Sequence, residues 1–335
     1  MFNWYGRGRA FYYCAFLSVC GYAVNITKMG YSEPRPYMLA PPPAINVYGC
    51  SAEYGNPSGH ALWAAAFHFF VFLDFNHATN GPQRSKAFYF ITLFLAAAFM
   101  FIIGFARFYE GVHSINQILY GWTIGLWIAF YMHFCFRDEV IEHVEKLLRT
   151  KNHDKIPFTK LSIICGVIGF LAFITQLLTY IFVEMTIREI DEDRYLANMI
   201  LTPSCKKYAE TNLKFNQKSI VISGLALLGI GAYFGILIQA KFFPNTYWLH
   251  IQDTTWKKAW LRLPVALLVI LPFGIINLIV PSTAKLGLMI AFSTNIPCLG
   301  MFTCLFAFSD VLNGKFKLVN EDVSPSIPIK GVMHI

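Results

Sequence analysis

The chain has 335 residues, of which 56% are hydrophobic, 17% aromatic and only 14% charged, and its mean hydropathy is +0.48. Soluble chains carry about 25% charged residues, so the composition argues against a soluble fold and favours an integral membrane protein. The net charge of +8 is typical of some nucleic-acid-binding proteins. Its distribution along this chain instead follows a membrane topology, so no nucleic-acid partner is predicted.

Eight apolar segments predict membrane-spanning helices, since about 20 apolar residues are needed to cross about 30 Å of hydrocarbon. The predicted spans cover residues 9–28, 58–75, 87–106, 114–136, 159–184, 217–240, 261–280 and 286–309. The second is short and carries His60 and His68, so its hydropathy signal is the weakest. The sequence therefore predicts an all-α polytopic integral membrane protein with about eight transmembrane helices.

Alternation of these spans predicts the topology. It places seventeen of the 27 Lys and Arg residues on the side of the two termini. Positive residues concentrate in cytoplasmic loops, so we expect both termini in the cytosol and the opposite face in a lumen, of the endoplasmic reticulum by preference, or outside the cell. Cys50 and Cys205 lie in loops on that opposite face, where a disulfide between them is left open. The sequence indicates no oligomeric state.

The chain divides into a membrane core (1–136), a cytosolic connector (137–158), a four-helix membrane part (159–309) and a polar tail (310–335). The loop 29–57 is rich in Pro, Gly and Tyr and too apolar for a free linker, so we expect it to form a lid or a wall. Residues 185–216 are interpreted as a solvated loop or a short interfacial helix. The later spans show no clustered ionisable groups, which argues against a transporter.

The first candidate motif joins Lys28 to Arg35 and Pro36, seven residues later. Pro34 and Pro36 prevent a continuing helix, so a bent segment can aim both cations at one point. For either cation alone, the alternative is that it reaches up to the lipid headgroups from a helix end.

The second motif, Pro57-Ser58-Gly59-His60, lies where a helix is predicted to begin. The free amides and the positive dipole of a helix N-terminus bind phosphate, and Gly59 allows the backbone to approach an anion closely. Ser58 either donates its hydroxyl to that anion or caps the helix. His60 follows at once, where it can protonate a leaving oxygen.

The third motif places Arg107 six residues before His113. Arginine suits bidentate phosphate contact, and His113 is predicted on the same face as His60, so we interpret it as the nucleophile. Its other ring nitrogen needs a partner, for which Gln117, one helical turn on, is the first candidate and Glu110 the second. No metal-ligand spacing is present, so neither a metal nor another cofactor is predicted.

These fragments resemble the type 2 phosphatidic acid phosphatase (PAP2) superfamily, which includes lipid phosphate phosphatases, sphingoid-base phosphate phosphatases, glucose-6-phosphatases and bacterial acid phosphatases. The family signature is K-x6-R-P, then P-S-G-H, then S-R-x5-H-x3-D. The first two parts are matched in full, at Lys28 to Pro36 and at 57–60, and the third is matched in spacing at Arg107 and His113. The resemblance covers residues 20–125.

The resemblance implies a PAP2-type catalytic helix bundle and a metal-independent phosphomonoesterase. His113 would form a phosphohistidine, and His60 would protonate the leaving alcohol and then activate water. The groups implied to hold the phosphoryl oxygens are Lys28, Arg35, Arg107, Ser58 and the amide of Gly59.

Two positions depart from the family pattern: Ala106 stands where Ser is usual, and Gln117 where Asp is usual. A neutral amide brings no charge to the nucleophile, which implies reduced turnover. Family members also usually carry a further span before the first motif, so the site is either built without that span or belongs to a shortened chain.

Three functions stay open. Glu53-Tyr54-Gly55-Asn56 and the proline-rich loop resemble sphingoid-base phosphate phosphatases, which favours a lipid phosphate substrate. Gln117 resembles glucose-6-phosphatases, which favours a sugar phosphate. A catalytically weak scaffold with the same fold is the third. In all three the chain's partners include the surrounding membrane lipids.

Overall fold

The structure, a computed structural model, describes residues 6–40, 46–77, 85–150, 153–186, 189–210, 215–243, 256–279 and 284–318. In the first half the α-helices are α1 (Arg7–Tyr31), α2 (Pro36–Leu39), α3 (Gly59–Phe75), α4 (Lys86–Tyr109), α5 (Ile115–Tyr131), α6 (Arg137–Arg149) and α7 (Phe158–Thr186). Those of the second half are α8 (Glu189–Leu201), α9 (Lys206–Ala209), α10 (Asn216–Val221), α11 (Leu228–Phe242), α12 (Trp256–Ile279), α13 (Leu286–Met289) and α14 (Ile296–Lys315). Short π-helical turns join α5 to α6 and α13 to α14. Within the described ranges there is no strand, so the all-α prediction is confirmed.

Seven helical stretches in the described ranges are long and apolar enough to cross a membrane. They are Arg7–Leu39, Lys86–Tyr109, Ile115–Arg149, Phe158–Thr186, Asn216–Phe242, Lys257–Ile276 and Leu286–Lys315. The remaining predicted span, 58–75, corresponds to the apolar helix α3, which has only 17 residues. The chain is therefore an integral membrane protein, and its described ranges contain seven long apolar helices and one shorter one.

Close packing of α3 against α5 sets the position of the first turns of both helices. A Cβ atom on Gly121 would lie 2.7 Å from the carbonyl oxygen of Ser58, and one on Gly125 would meet the carbonyl oxygen of Leu62. Glycine at these positions lets the two backbones approach, as in other small-residue helix interfaces of membrane proteins. The Ser58 amide then donates to the Gln117 carbonyl at 3.0 Å, so the second and third motifs lie side by side.

Helix α1 packs against both halves of the chain. It contacts α6 and α7 from the first half and α11 from the second. At its N-terminal end, Arg7 forms a buried ion pair with Asp310 of α14, and Gln239 of α11 donates to the same carboxylate at 2.9 Å. The first half is therefore joined to the second by a polar contact as well as by apolar packing.

That ion pair corrects the expectation that the later helices carry no buried charge pair. Asp310 is the first residue of the predicted polar tail, yet α14 continues to Lys315 and buries it. The partner, Arg7, lies 303 residues away in the sequence. Because the two partners lie at opposite ends of the chain, the sequence of the later spans alone does not indicate the pair.

The described part of the loop between α2 and α3, residues 46–58, packs against α8, α9 and Phe215. Cys50 and Cys205 form a disulfide with a Cα–Cα distance of 5.2 Å. A buried apolar cluster joins the two regions and consists of Tyr37, Met38, Ala52, Tyr54, Val112, Met199, Cys205, Ala209 and Phe215. The described part of 185–216 is thus helical and packed, not a solvated loop, and it supports the loop that borders the site.

Candidate active site

His113 lies in the short turn between α4 and α5, and its side chain is only 2% exposed. Its Nε2 atom lies 3.0 Å from a terminal nitrogen of Arg35, and its Nδ1 atom lies 3.1 Å from Oε1 of Gln117. Both ring nitrogens therefore have a partner, one of them cationic and the other a neutral amide.

The orientation of the Gln117 amide follows from its other contacts. Its Nε2 donates to Oε1 of Glu33 at 3.1 Å and to the carbonyl oxygen of Pro34 at 3.0 Å. With the amino group facing two acceptors, Oε1 faces two donors, the Ser114 amide and Nδ1 of His113. Nδ1 consequently carries the proton, and the lone pair lies on Nε2. Glu110, the second candidate, instead bonds Arg107 at 2.5 Å.

Gly55 is required beside this amide. A Cβ atom at position 55 would lie 2.5 Å from Oε1 of Gln117, closer than real side chains approach. Any larger residue there would displace the group that orients the imidazole.

The pKa of His113 is held well below its ordinary value. Burial is the largest cause, followed by the positive charges of Arg35 and Lys28. The hydrogen bond to Gln117 acts in the opposite direction and is weaker. The imidazole is therefore neutral at physiological pH, the form in which Nε2 is a nucleophile.

Arg35 occupies the centre of the candidate site and is 2% exposed. Its Nε donates to the carbonyl oxygen of Glu53 at 2.6 Å, and a terminal nitrogen donates to that of Val112 at 3.1 Å. These bonds fix the plane of the guanidinium next to His113. An arginine whose planar guanidinium is fixed in this way is preorganised to donate to an oxyanion such as phosphate.

Lys28, near the C-terminal end of α1, is buried and forms an ion pair with Glu53. Glu53 also lies 3.5 Å from Lys218 of α10. Burial alone would raise the pKa of Glu53, but Lys28, Arg35 and Lys218 together hold it well below its usual range. The carboxylate therefore stays charged and offsets part of the positive charge that these cations bring together.

The second motif begins α3, as the sequence predicts. Ser58 is fully buried, and its Oγ accepts from the Ala61 amide at 3.4 Å, which is the capping alternative. A Cβ atom on Gly59 would lie 3.8 Å from Nζ of Lys28, so the start of the helix and the ammonium are neighbours. His60 is exposed and has no hydrogen-bond partner among the described residues.

Arg107 lies in the last turn of α4 and is bonded to Glu110. It interacts electrostatically with both His60 and His113, as do Lys28 and Arg35. The structure thus brings the five basic and imidazole side chains of the three motifs into one electrostatic cluster at one end of the bundle.

Sequence reasoning missed three members of this cluster. Glu33 bonds Gln117, Glu53 pairs with Lys28, and Lys218 approaches Glu53 from a distant helix. The available signals were Glu33, which lies within the first motif, and Glu53, which lies four residues before the second. Within the described residues, no group of three His, Cys, Asp or Glu side chains is arranged to hold a metal ion.

Comparison with known proteins gives one family. Residues 9–141 match the PAP2 superfamily, and this range contains all but the first two residues of α1, the whole of α2 to α5 and all three motifs. No curated protein and no solved structure matches the chain. The match supports phosphatase activity in general, and with the long apolar helices it indicates a membrane-embedded phosphatase.

Proposed function

We propose that the chain is a metal-independent membrane phosphomonoesterase that dephosphorylates a lipid phosphate. The observation that carries the proposal is the buried imidazole of His113, whose Nδ1 is bonded to Gln117 and whose Nε2 faces the guanidinium of Arg35. A nucleophile and a fixed cation directed at one point are what transfer of a phosphoryl group requires.

The proposed reaction has two steps. Nε2 of His113 attacks phosphorus, the bond from phosphorus to the substrate oxygen breaks, and His60 gives its proton to the departing alcohol. Neutral His60 then takes a proton from water, which attacks the phosphohistidine and releases inorganic phosphate. Lys28, Arg35 and Arg107 neutralise the charge on the equatorial oxygens in both steps, with the start of α3 providing further donors.

An apolar groove between α4 and α5 supports a lipid substrate over a sugar phosphate. It has a volume of about 790 Å³ and opens along the last turns of α4 and the first turns of α5. Ala106, next to Arg107, and Ile115, two residues after His113, both line it. A phosphate bound by Arg107 would place an attached alkyl chain at this groove, whereas a sugar would meet a mainly apolar lining there.

The orientation of the site is proposed from the disulfide. A bond between Cys50 and Cys205 forms in an oxidising compartment and is rare in the cytosol. The loop that borders the site would therefore face the lumen, by preference that of the endoplasmic reticulum, with both termini in the cytosol.

The proposal is tested by phosphate release from the purified full-length protein in detergent. A sphingoid-base phosphate, phosphatidic acid and glucose 6-phosphate are offered separately, with and without a chelator of divalent ions. We expect release from a lipid phosphate that the chelator does not change. Preference for glucose 6-phosphate would favour the sugar phosphatase, and no release from folded protein would favour the scaffold.

The groove gives a prediction of its own. Leu119→Trp places a large ring among the lining residues, so we expect it to lower kcat/KM for a long-chain lipid phosphate by about 10-fold, an effect typical of a misfitted apolar pocket. Turnover of the soluble p-nitrophenyl phosphate should change little, because the phosphate-binding cations are untouched.

Leu95→Trp is the matched control, since Leu95 is similarly exposed, at 46% against 51% for Leu119, and lies on α4 outside the groove. If both variants lose the same activity on both substrates, the groove does not bind the alkyl chain.

A further inference from the structure

We propose that Glu33 is a positioning residue for the nucleophile. Through Gln117 it supplies the negative charge that an acidic residue at position 117 would supply directly. This inference rests on the proposed phosphatase function of the same site. Glu33 would act through Gln117, without contacting the substrate.

The carboxylate of Glu33 accepts hydrogen bonds from three side-chain amides. Asn56 donates to Oε2 at 2.6 Å, and Asn116 and Gln117 donate to Oε1 at 3.2 and 3.1 Å. The backbone carbonyl of Glu33 accepts from the Gly55 amide at 2.8 Å. The carboxylate is thus fixed to the loop before α3 and to the first turn of α5, the two segments that carry the catalytic motifs.

Within the described part of the chain, none of these donors to the carboxylate is a cation. Glu53, by contrast, is paired with Lys28 and approached by Lys218. Among the described residues, Glu33 therefore forms no ion pair, and its Oε1 accepts from the amino group of Gln117. A charge-assisted hydrogen bond of this kind is stronger than one between neutral groups.

That bond has two consequences for His113. It holds the amino group of Gln117 away from the ring, so only the amide oxygen can face Nδ1. It also polarises the amide, which makes Oε1 a better acceptor for the Nδ1 proton. Both effects favour the tautomer whose Nε2 lone pair can attack phosphorus.

The charges around the imidazole explain why His113 needs a carboxylate nearby. Those acting on His113 include the cations Arg35 and Lys28 from the first motif and Arg107 from α4, whereas Gln117 of α5 is neutral. All three cations disfavour the positive charge that builds up on the ring when Nε2 bonds to phosphorus. The negative charge of a carboxylate connected through Gln117 offsets the effect of these cations and does not occupy the phosphate site.

Glu33→Gln tests the role. An amide at position 33 cannot accept from all three neighbouring amides, so its own amino group would face a donor. The charge-assisted bond to Gln117 would be lost, and the Pro34 carbonyl would remain as the acceptor that orients the Gln117 amino group. We expect kcat to fall by about 10- to 100-fold, the usual effect of removing a group that orients a ligand or catalytic side chain. KM should change little, since the phosphate-binding cations remain.

The decisive variant exchanges the two groups. In the double substitution Glu33→Gln with Gln117→Glu, a carboxylate would bond Nδ1 directly and the new amide would donate to it. We expect the double variant to recover at least 10-fold of the kcat that Glu33→Gln loses. Glu142→Gln, on the exposed face of α6, is the control for the same chemical change elsewhere.

A second readout does not depend on turnover. Nitrogen NMR of protein labelled in histidine, with the His113 signals identified by their loss in His113→Ala, distinguishes the two imidazole tautomers. We expect the Nδ1-protonated form in the unchanged protein and in the double variant, and a mixture in Glu33→Gln.

The two readouts separate the two ideas. If the unchanged protein releases no phosphate but the His113 tautomer follows Glu33, the phosphatase function fails and the positioning role stands. If the protein is active and Glu33→Gln keeps both its kcat within about threefold and the Nδ1-protonated tautomer, the role assigned to Glu33 is wrong. The positioning role is also wrong if the folded double variant shows no recovery.

Discussion

Replacement of His113 by alanine is expected to lower phosphate release by about 10⁴-fold or more, as loss of a nucleophile does in other enzymes with covalent intermediates. Alanine keeps the fold but removes Nε2, the atom that faces Arg35. Because Arg35 and Lys28 would remain, the variant should still bind phosphate. The measurement is initial rate against substrate concentration, with phosphate as a competitive inhibitor.

His68→Ala is the matched control, since His68 is a helix α3 histidine whose Nδ1 bonds only the Ala64 carbonyl of its own helix, at 2.7 Å. We expect it to retain activity within about threefold. Incubation with ³²P-labelled substrate, followed by rapid alkaline quenching, should label the unchanged protein and His68→Ala but not His113→Ala. Equal labelling of all three would exclude His113 as the nucleophile.

The pH dependence of kcat/KM is also expected to depend on His113. Burial and the neighbouring cations lower the pKa of His113, so its proton is lost at a lower pH than that of an ordinary imidazole. The proposed nucleophile is therefore unprotonated throughout the mildly acidic range, and a fall in kcat/KM that His113 causes should appear well below pH 6.5. Removal of a cation, as in Lys28→Met, should move that fall to higher pH.

The three motifs could be found in the sequence because their residues are close together and each lies at the end of an apolar segment. Hydropathy alone places the ends that carry Lys28, His60 and His113 on one face of the membrane. The glycines that bring α3 and α5 together are also visible. These glycines allow the Ser58 amide to donate to the Gln117 carbonyl. That contact depends on how the two helices pack, so it cannot be predicted from the sequence.

The acidic part of the site could not be found in this way. Glu33 meets Gln117 across 84 residues, and Lys218 reaches Glu53 from another half of the chain. Such contacts depend on how the helices pack, and the local sequence pattern does not encode helix packing. The packing of α8 was not predicted either. The charged residues Asp191 and Arg194 suggested a solvated loop or a short interfacial helix, whereas Met199 on the same helix is buried against the loop.

Substitution of Arg35 is expected to have the second large effect, and the choice of replacement separates its structural from its chemical role. Its guanidinium bonds the carbonyl oxygens of Glu53 and Val112. Arg35→Ala leaves both unsatisfied in a buried place, at a cost of about 1–3 kcal/mol each. We expect this variant to melt at a lower temperature and to lose activity together with stability.

Arg35→Lys is the sharper test, because lysine keeps the charge but cannot span a carbonyl, the imidazole and a phosphate oxygen at once. We expect a fold close to that of the unchanged protein, measured by thermal unfolding in detergent, with activity lower by about 10²- to 10³-fold, as for loss of one preorganised oxyanion donor. Arg194→Lys, a substitution of an exposed arginine on α8, should leave both properties unchanged. Full activity in Arg35→Lys would mean that charge alone is needed at this position, and the fixed guanidinium plane beside His113 would then have no part in catalysis.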